Sequence, residues 1–319
     1  MREDASLTPE EVAEVLRIAR NTVYELIKRG ELTAYRVGRK IRVDAQDVES
    51  YKRQGKKTES PLPDSTGRSV VPSSPATSPH PNVLPGEMVI CGQDVILDIL
   101  TRHLERHPCG GRAFRSHIGS FDGLLAVYRE NAHLTAAHLW DGDTGTYNVP
   151  YVRRLLPGIP AIIIHLAGRR QGFYVAAGNP KKIEDWPDLL REDVRLVNRE
   201  KGCGTRVLLD EKLRLLGLNR RLIRGYDREE NSHLGVASAV ARGEADVGMG
   251  NQKAALQVRG VAFVPLQNER YELVMRKEDL AKPMFRTVLD ILQSPEYHRE
   301  LAGLGDYDLS ETGKIVAEL

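Results

Sequence analysis

The sequence predicts an α/β protein in which a small helical module with a basic hairpin is tethered to a longer region of alternating strands and helices. Three observations carry this: helix-start chemistry at Thr8, a proline- and serine-rich break over 54–85, and strand-then-helix periodicity from Gly86 to Leu319. At 319 residues, 41% apolar and 28% charged, the chain is long enough for two or three cores. No apolar run approaches the roughly 20 residues of a membrane span, and the opening MREDASLTPEE is too charged for a secretory signal, so a cytoplasmic protein is expected. Cys91, Cys109 and Cys203 are odd in number and scattered, which implies neither a disulfide framework nor a Cys-x-x-Cys metal site. A net charge of only +2 means that any nucleic-acid binding must come from local clustering.

The first element is a helix from Pro9 to about Leu16, with Thr8 as N-cap, Pro9 at the first helical position and Glu10 and Glu11 in the first turn. Val12, Val15 and Leu16 share its apolar face. A short turn through Ile18 and Ala19 leads to a second helix, Arg20 to Lys28, with Val23, Leu26 and Ile27 inward and Gly30 as its stop. The alternating runs LTAYRV and KIRV, joined at Gly38 and Arg39, read as a hairpin with a basic tip, after which Asp44 caps a third helix through Tyr51. The outward side of the second helix carries Arg20, Asn21, Thr22, Tyr24 and Lys28, suited to phosphates and base edges in a major groove. Arg36, Arg39 and Lys40 place positive charge on the hairpin, against the backbone or minor groove. The same face can also be a solvated basic surface on a protein-binding module.

From Leu7 to Tyr51 the order T-x-EEVA, TVY, GEL-x-A-x-R-x-G and RV resembles the excisionase-type, MerR-like winged helix-turn-helix modules. That resemblance implies double-stranded DNA as a partner. Beyond it, QGKKTESPLPDSTGRSVVPSSPATSPHPNVLP cannot bury enough apolar surface to offset its ordering entropy, and reads as a semi-extended tether. The expected organisation is therefore a DNA-binding domain over 1–53, a linker over 54–85 and a sensing domain over 86–319.

In that last part MVICG is a buried strand, DVILDILTRHLERH a helix, FDGLLAVYRENA a second helix and LTAAHLW another strand. PAIIIHLAGRRQGFYVAAGNP reads as two strands in sequence, DWPDLLRED as a short helix, VRLVNRE as a strand and LGVASAVARGEADVGMG as helix then strand. VAFVPLQNERYELVMRKED reads as paired strands, and about three helices close the chain from Pro283. The expectation is a twisted, largely parallel sheet. The stretches GSFDGLLAVYRENAHLTAAHLWDGDTGTYN, VNREKGCGTRVLLD and SHLGVASAVARGEADVGMG resemble the type II periplasmic-binding-protein fold, of the kind fused to helix-turn-helix regulators and to molybdopterin-biosynthesis proteins. The resemblance implies a two-lobed α/β clamp with its ligand in the cleft, and molybdate or tungstate as that ligand.

The stretch NREKGCGTR gives a physical reason for an anion. Gly202 and Gly204 permit close backbone approach, the helix start near Thr205 offers amide N–H groups, and Arg199 and Arg206 can add bidentate contacts. Gln93 and Asp94 in CGQD, and Ser120, Phe121 and Asp122 in GSFDG, stand at two further strand-to-helix turns, with Ser120 as a possible cap. Each turn is also an ordinary connection on its own. DGDTGTYN contributes Thr144, Thr146, Tyr147 or Asn148 to the cleft or is simply a turn, and Asn251 stands at another strand end. Cys203 occupies a place where the related motif often has serine, leaving a weak donor or a reactive thiol at a helix start. His103, His107 and Cys109 have metal-ligand spacing, with an exposed helix end as the plainer account, and no metal or cofactor is expected.

Together these readings give a one-component, ligand-responsive transcription regulator that binds DNA, a small anion and, since one module covers a half-site weakly, a second copy of itself. An enzyme of molybdenum-cofactor synthesis, a sensor of a larger organic or pterin ligand, and an excisionase-like architectural protein are the alternatives. No nucleophile elbow, phosphate-binding loop or metal tetrad stands out to favour an enzyme.

Overall fold

A computed structural model of the chain describes residues 6–16, 18–28, 32–37, 40–45, 47–48, 51 and 86–319. The chain divides into two compact units, Met1–Pro75 and Ala76–Leu319. The stretch 54–85 lies outside the described residues, as do Gly30, Gly38 and Arg39.

In the first unit helix α1 spans Pro9–Leu16 and α2 spans Arg20–Lys28. The start of α1 is held by a reciprocal box: the Thr8 amide donates to Glu11 Oε2 at 2.7 Å and the Glu11 amide donates to Thr8 Oγ1 at 3.3 Å. Val12, Val23, Leu26, Leu32, Val43 and Val48 bury against one another as the core. Strands β1 (Ser6–Leu7), β2 (Tyr35–Val37) and β3 (Lys40–Asp44) form an antiparallel sheet in the order β1-β3-β2. Asp44 ends β3 and accepts the Tyr35 hydroxyl at 2.8 Å. Residues 45, 47, 48 and 51 beyond it are helical.

The second unit is built on one nine-stranded sheet that runs through two lobes. Its strands are β4 (Glu87–Cys91), β5 (Arg112–Ser116), β6 (Leu134–Ala137), β9 (Ala161–Ala176), β10 (Leu196–Arg199), β11 (Glu229–Glu230), β12 (Val247–Asn251), β13 (Val261–Arg276) and β14 (Ile315–Glu318), with β7 (Trp140–Asp141) and β8 (Thr146–Tyr147) as a separate ribbon. The order β11-β10-β12-β9-β13-β6-β4-β5 puts the two longest strands at the centre. One lobe packs α3 (Ile96–Arg106), α4 (Ser120–Tyr128), α5 (Val149–Leu155), α9 (Pro283–Gln293) and α10 (Pro295–Leu304) on its strands. The other packs α6 (Gly204–Leu215), α7 (His233–Ala241) and α8 (Gln252–Leu256).

Three expectations are corrected here. The stretches read as two strands each are single strands, β9 and β13, of 16 residues apiece. β9 is buried toward both ends, β13 is buried in its second half and packs partly buried apolar residues on the other lobe in its first, and each has polar residues in the middle, so each serves both lobes and crosses the cleft once. The sheet is mixed, because β9 pairs antiparallel with β12, β13 and β14, and parallel pairing is confined to β4 with β5 and β6 and to β10 with β11 and β12. After α10 the chain returns as β14 rather than as a third helix, and Gly305 and Gly313, both at positive φ, make the turns that allow it. Among the described residues no helix is long and apolar enough to cross a membrane.

Candidate functional site: a small polar cavity between the lobes

Three strand-to-helix turns meet at one small cavity of about 20 Å³ between the lobes. Gly92, Gln93 and Asp94 follow β4, Gly119 and Ser120 follow β5, and Cys203 precedes α6; all of them line it. His233, the first residue of α7, and Asn251, the last of β12, close it from the second lobe. Arg169 of β9 and Tyr271 of β13 form its floor at the strand crossing, and His138 lines a further wall. The turns lie close because glycine lets them. A methyl on Gly204 would stand 2.7 Å from the His138 carbonyl oxygen, and one on Gly119 would stand 3.0 Å from the Cys203 Cα. Gly202 adopts φ +85°, a left-handed conformation that a side chain strains.

Arg169 is the electrostatic centre of the site. It is fully buried between two carboxylates, with Nη1 2.5 Å from Asp94 Oδ2 and Nε 2.5 Å from Glu269 Oε1, and its guanidinium stacks 3.8 Å from the centroid of Tyr271. The Glu269 carboxyl is itself buried, which opposes ionisation, but Arg169 and His138 overcome this and hold it down at about 2. Glu269 Oε2 lies 2.7 Å from His138 Nδ1 and accepts the Gln171 amide at 2.8 Å. Tyr307 donates to Asp94 Oδ1 at 2.9 Å. After these bonds, Arg169 Nη2 and His233 Nδ1 are buried with no hydrogen-bond partner, and Tyr271 Oη makes no well-formed bond. Burial, reinforced by Arg199 and Arg169, holds the His233 imidazole well below its usual range, so it is neutral. Buried polar groups are ordinarily satisfied, so these groups retain hydrogen-bonding capacity that the protein itself does not use. The arrangement can hold an anionic group by one charged and two neutral contacts.

The residues expected in the cleft divide. Gln93, Asp94, Ser120, Arg199, Cys203 and Asn251 line the cavity. Several of them are already engaged: Arg199 donates to Gln93 Oε1 at 2.6 Å and pairs with Glu200 at 2.7 Å, a clasp from lobe to lobe. The Phe121 amide, donating to the Gly202 carbonyl at 2.9 Å, is a second clasp. Ser120 is the first helical residue rather than the cap, and its Oγ accepts the His138 amide at 3.3 Å. Asn251 caps α8 by accepting the Ala254 amide at 2.9 Å. Gly202, Gly204 and Thr205 stand behind the wall, with Thr205 hydrogen-bonded to Gln171, while Asp122 sits beside Gly202. Arg206 is turned away: it pairs with Asp210 and Glu229 and stacks on Tyr226. Thr144 hydrogen-bonds Asp141 and Thr146 in the β7–β8 turn, Tyr147 bonds to Gln267 and Asn268, and Asn148 accepts the Leu139 amide and donates to Glu272; none of the four lines the cavity.

Cys203 is the N-cap of α6, its Sγ accepting the Arg206 amide at 3.4 Å. Burial pushes its thiol up to about 11, against the pull of Arg199, so it is not a ready nucleophile. Cys91 is buried with its thiol likewise pushed up to about 11 by burial, whereas Cys109 is exposed. A disulfide reagent is therefore expected to modify one thiol rapidly in the native protein and all three after unfolding, and rapid loss of Cys203 would overturn this account. His103 contacts Glu300, and His107 Nδ1 accepts the Cys109 amide. Among the described residues no group of acidic, histidine and cysteine side chains is placed to hold a metal.

Four residues of the site lie outside the sequence reading: Arg169, Glu269, Tyr271 and His233, joined by His138. Four of these five were reachable in part. Arg169 and Gln171, like Glu269 and Tyr271, alternate within long strands, and such polar residues at period two inside an apolar run point to one face. His138 follows strand β6, where a cleft residue would stand.

In the first unit Arg20, Asn21 and Thr22 at the start of α2 are exposed, as is Lys40 at the start of β3. Arg20 pairs with Glu10 at 2.9 Å and donates to the Tyr24 hydroxyl at 3.3 Å. Lys28 and Arg36 belong to α2 and β2, with side chains outside the described residues, and Arg39 lies outside them altogether.

Residues 6–56 match the helix-turn-helix domain family and residues 101–293 the PBP superfamily domain. Uncharacterized protein YvgK of Bacillus subtilis (strain 168) is 41% identical over 318 residues, covering 100% of both chains. The sulfate-binding protein SubI of Mycobacterium tuberculosis H37Rv superposes with a TM-score of 0.51 at 15% identity, over 70% of this chain and 86% of that one. EhuB in complex with hydroxyectoine gives 0.51 at 11% identity, over 70% and 90%. The chain therefore belongs to the PBP superfamily, with a helix-turn-helix domain at its N-terminal end.

Proposed function

We propose that this protein is a one-component, ligand-responsive transcription regulator, which binds double-stranded DNA through the exposed face of α2 and the β2–β3 hairpin and senses an anion of the oxyanion class in the cleft. In this reading residues 1–53 are the DNA-binding domain, 54–85 a tether and 86–319 the sensor, and the protein works as a homo-oligomer. The observation that carries the sensing half is the cavity itself: Arg169 and His233, each with a buried and unpartnered nitrogen, line one space built from both lobes. Arg169 and Arg199 are matched there by Asp94, Glu269 and Glu200, so recognition rests on directed donors rather than on net positive charge. Molybdate and tungstate, tetrahedral dianions, are the simple ions that suit such donors. A guest that contacts both lobes favours the closed clamp by its differential affinity, and that is the free energy available to change DNA affinity. The same fold serves a sulfate-binding and a hydroxyectoine-bound protein, so the choice of guest must come from this chain's own side chains.

The test is thermal unfolding of the full chain with molybdate, tungstate, sulfate and phosphate in turn, on the wild type and on His233→Gln. A ligand present at about 100 times its dissociation constant adds about 2.7 kcal/mol to stability, which reads as several degrees. The expected result is a rise with at least one anion that the variant loses. No rise with any of them sinks the anion reading. For the DNA half, Arg20→Ala with Arg39→Ala is expected to weaken binding to duplex DNA at low salt and to flatten its salt dependence; unchanged affinity would remove the winged helix from the contact.

A further inference from the structure

The anion cavity does not stand alone. A second cavity of about 380 Å³ opens beside it and shares four of its wall residues, Gln93, Asp94, His233 and Asn251. The two differ in kind. The inner space of about 20 Å³ admits a few atoms and is lined by Arg169 and His233, each of which has an unpartnered buried nitrogen. The outer one has the size in which proteins bind small organic molecules, at the lower end of a range of about 300–1,000 Å³.

Its walls are mixed as an organic guest requires. Val95, just before α3 in one lobe, and Leu234, in the first turn of α7 in the other, both line the outer cavity. They are 40% and 46% exposed, and so present apolar surface to whatever fills the space. Between them stand Asn231, His117 and Gln257, and the phenol of Tyr307, which already reaches inward to Asp94. Lys253 carries a positive charge at the rim, held by the Leu304 and Gly305 carbonyls. An inorganic oxyanion would use the inner donors and leave this outer space to water.

We infer that the ligand is an organic anion, whose charged group enters the inner cavity against Arg169 and His233 while its body occupies the outer cavity between Val95 and Leu234. This rests on the anion reading above and names the class of molecule that the same cleft takes. The charged group can be a phosphate monoester or a carboxylate, since both present oxygens to a guanidinium edge and a neutral imidazole. The body is partly apolar, with room for hydrogen bonds to Asn231, His117 and Gln257.

Phenyl phosphate serves as the probe, set against inorganic phosphate and molybdate at equal concentration on the full chain. Calorimetry is expected to give a dissociation constant for phenyl phosphate roughly tenfold or more below that for inorganic phosphate, the scale set by burying one small apolar body. In Val95→Ser/Leu234→Ser, which removes the apolar surface without adding charge beside the anion cavity, that advantage is expected to vanish while the affinity for inorganic phosphate is kept, a pattern that a general loss of folding would not produce. If inorganic phosphate or molybdate binds as tightly as phenyl phosphate in the wild type, or if the advantage survives in the double variant, the organic-ligand inference is overturned and the anion site stands. If none of the three binds, the anion reading falls and this inference with it.

Discussion

Arg169→Met is expected to destabilise the second unit by about 3–5 kcal/mol, the usual cost of removing one partner from a buried charge cluster. The methionine stem keeps some of the packing on Tyr271, where the guanidinium now sits 3.8 Å from the ring centroid. It cannot replace the positive charge that Asp94 and Glu269 share. Both carboxylates then face each other's field in a buried space, and each must either hold an uncompensated charge or take up a proton. Urea denaturation at neutral pH checks the loss. A second arm separates charge from shape: Arg169→Met with Glu269→Leu removes one of the stranded carboxylates and should recover a good part of the deficit. An equal loss in the single and double variants would sink the electrostatic account and leave only packing. The response to anions should be absent from both, because the Nη2 donor is gone from each.

The parts of this fold that depend on near neighbours in sequence were legible. The Thr8 and Glu11 box, the two short helices with their Val12, Val23 and Leu26 face, and the strand-to-helix turns at Gly92, Gly119 and Cys203 all follow from contacts within a few residues. The convergence of those turns on one cleft followed from the family resemblance and from the habit of open α/β sheets to bind at their carboxyl ends. What was not legible is the crossing. Arg169 and Glu269 stand directly opposite in the β9–β13 register, yet nothing local marks two residues so distant in the chain as partners. The polar centres of β9 and β13 look like turns between short strands when read alone. Their continuity is fixed only by cores on both sides, one in each lobe, which each strand must reach.

Misplaced side chains have the same origin. Arg199 and Arg206 flank the same glycine-bracketed turn, and sequence offers no way to separate them. In the structure β10 directs Arg199 across the cleft to Gln93, whereas Arg206, one turn into α6, is claimed by Asp210, Glu229 and the Tyr226 ring. Thr144 and Thr146 carry hydroxyls that suit an oxyanion, but their own turn uses them. His233 is the converse case. It reads as an ordinary residue after a serine cap, and becomes a site residue only because α7 starts where β12 and β9 bring Asn251 and Arg169 to the same space.

His233 also sets how the protein should respond to acid. Its imidazole is buried and neutral, and Arg199, Arg169 and His138 face it, so its folded pKa lies well below the 6.5 of an exposed histidine. The unfolded chain therefore binds a proton below about pH 6.5 that the folded protein refuses, and stability must fall as the pH drops through that range. Each unit of separation between the two states is worth about 1.4 kcal/mol, which makes this a large effect for one side chain. Glu269 acts in the same direction lower down: its folded pKa is depressed to about 2 from 4.5, so its contribution is full above about 4.5 and is lost as the pH falls toward 2. Denaturant midpoints measured from pH 8 to pH 4 should show a steep loss beginning near 6.5 in the wild type. In His233→Gln the upper part of that slope should be shallower, with a remainder from His133 and His103, which burial also holds below their usual range. Should the variant keep the full slope, His233 would have to be charged in the folded state, and a second cation beside Arg169 and Arg199 would be the feature that draws an anion into the cleft.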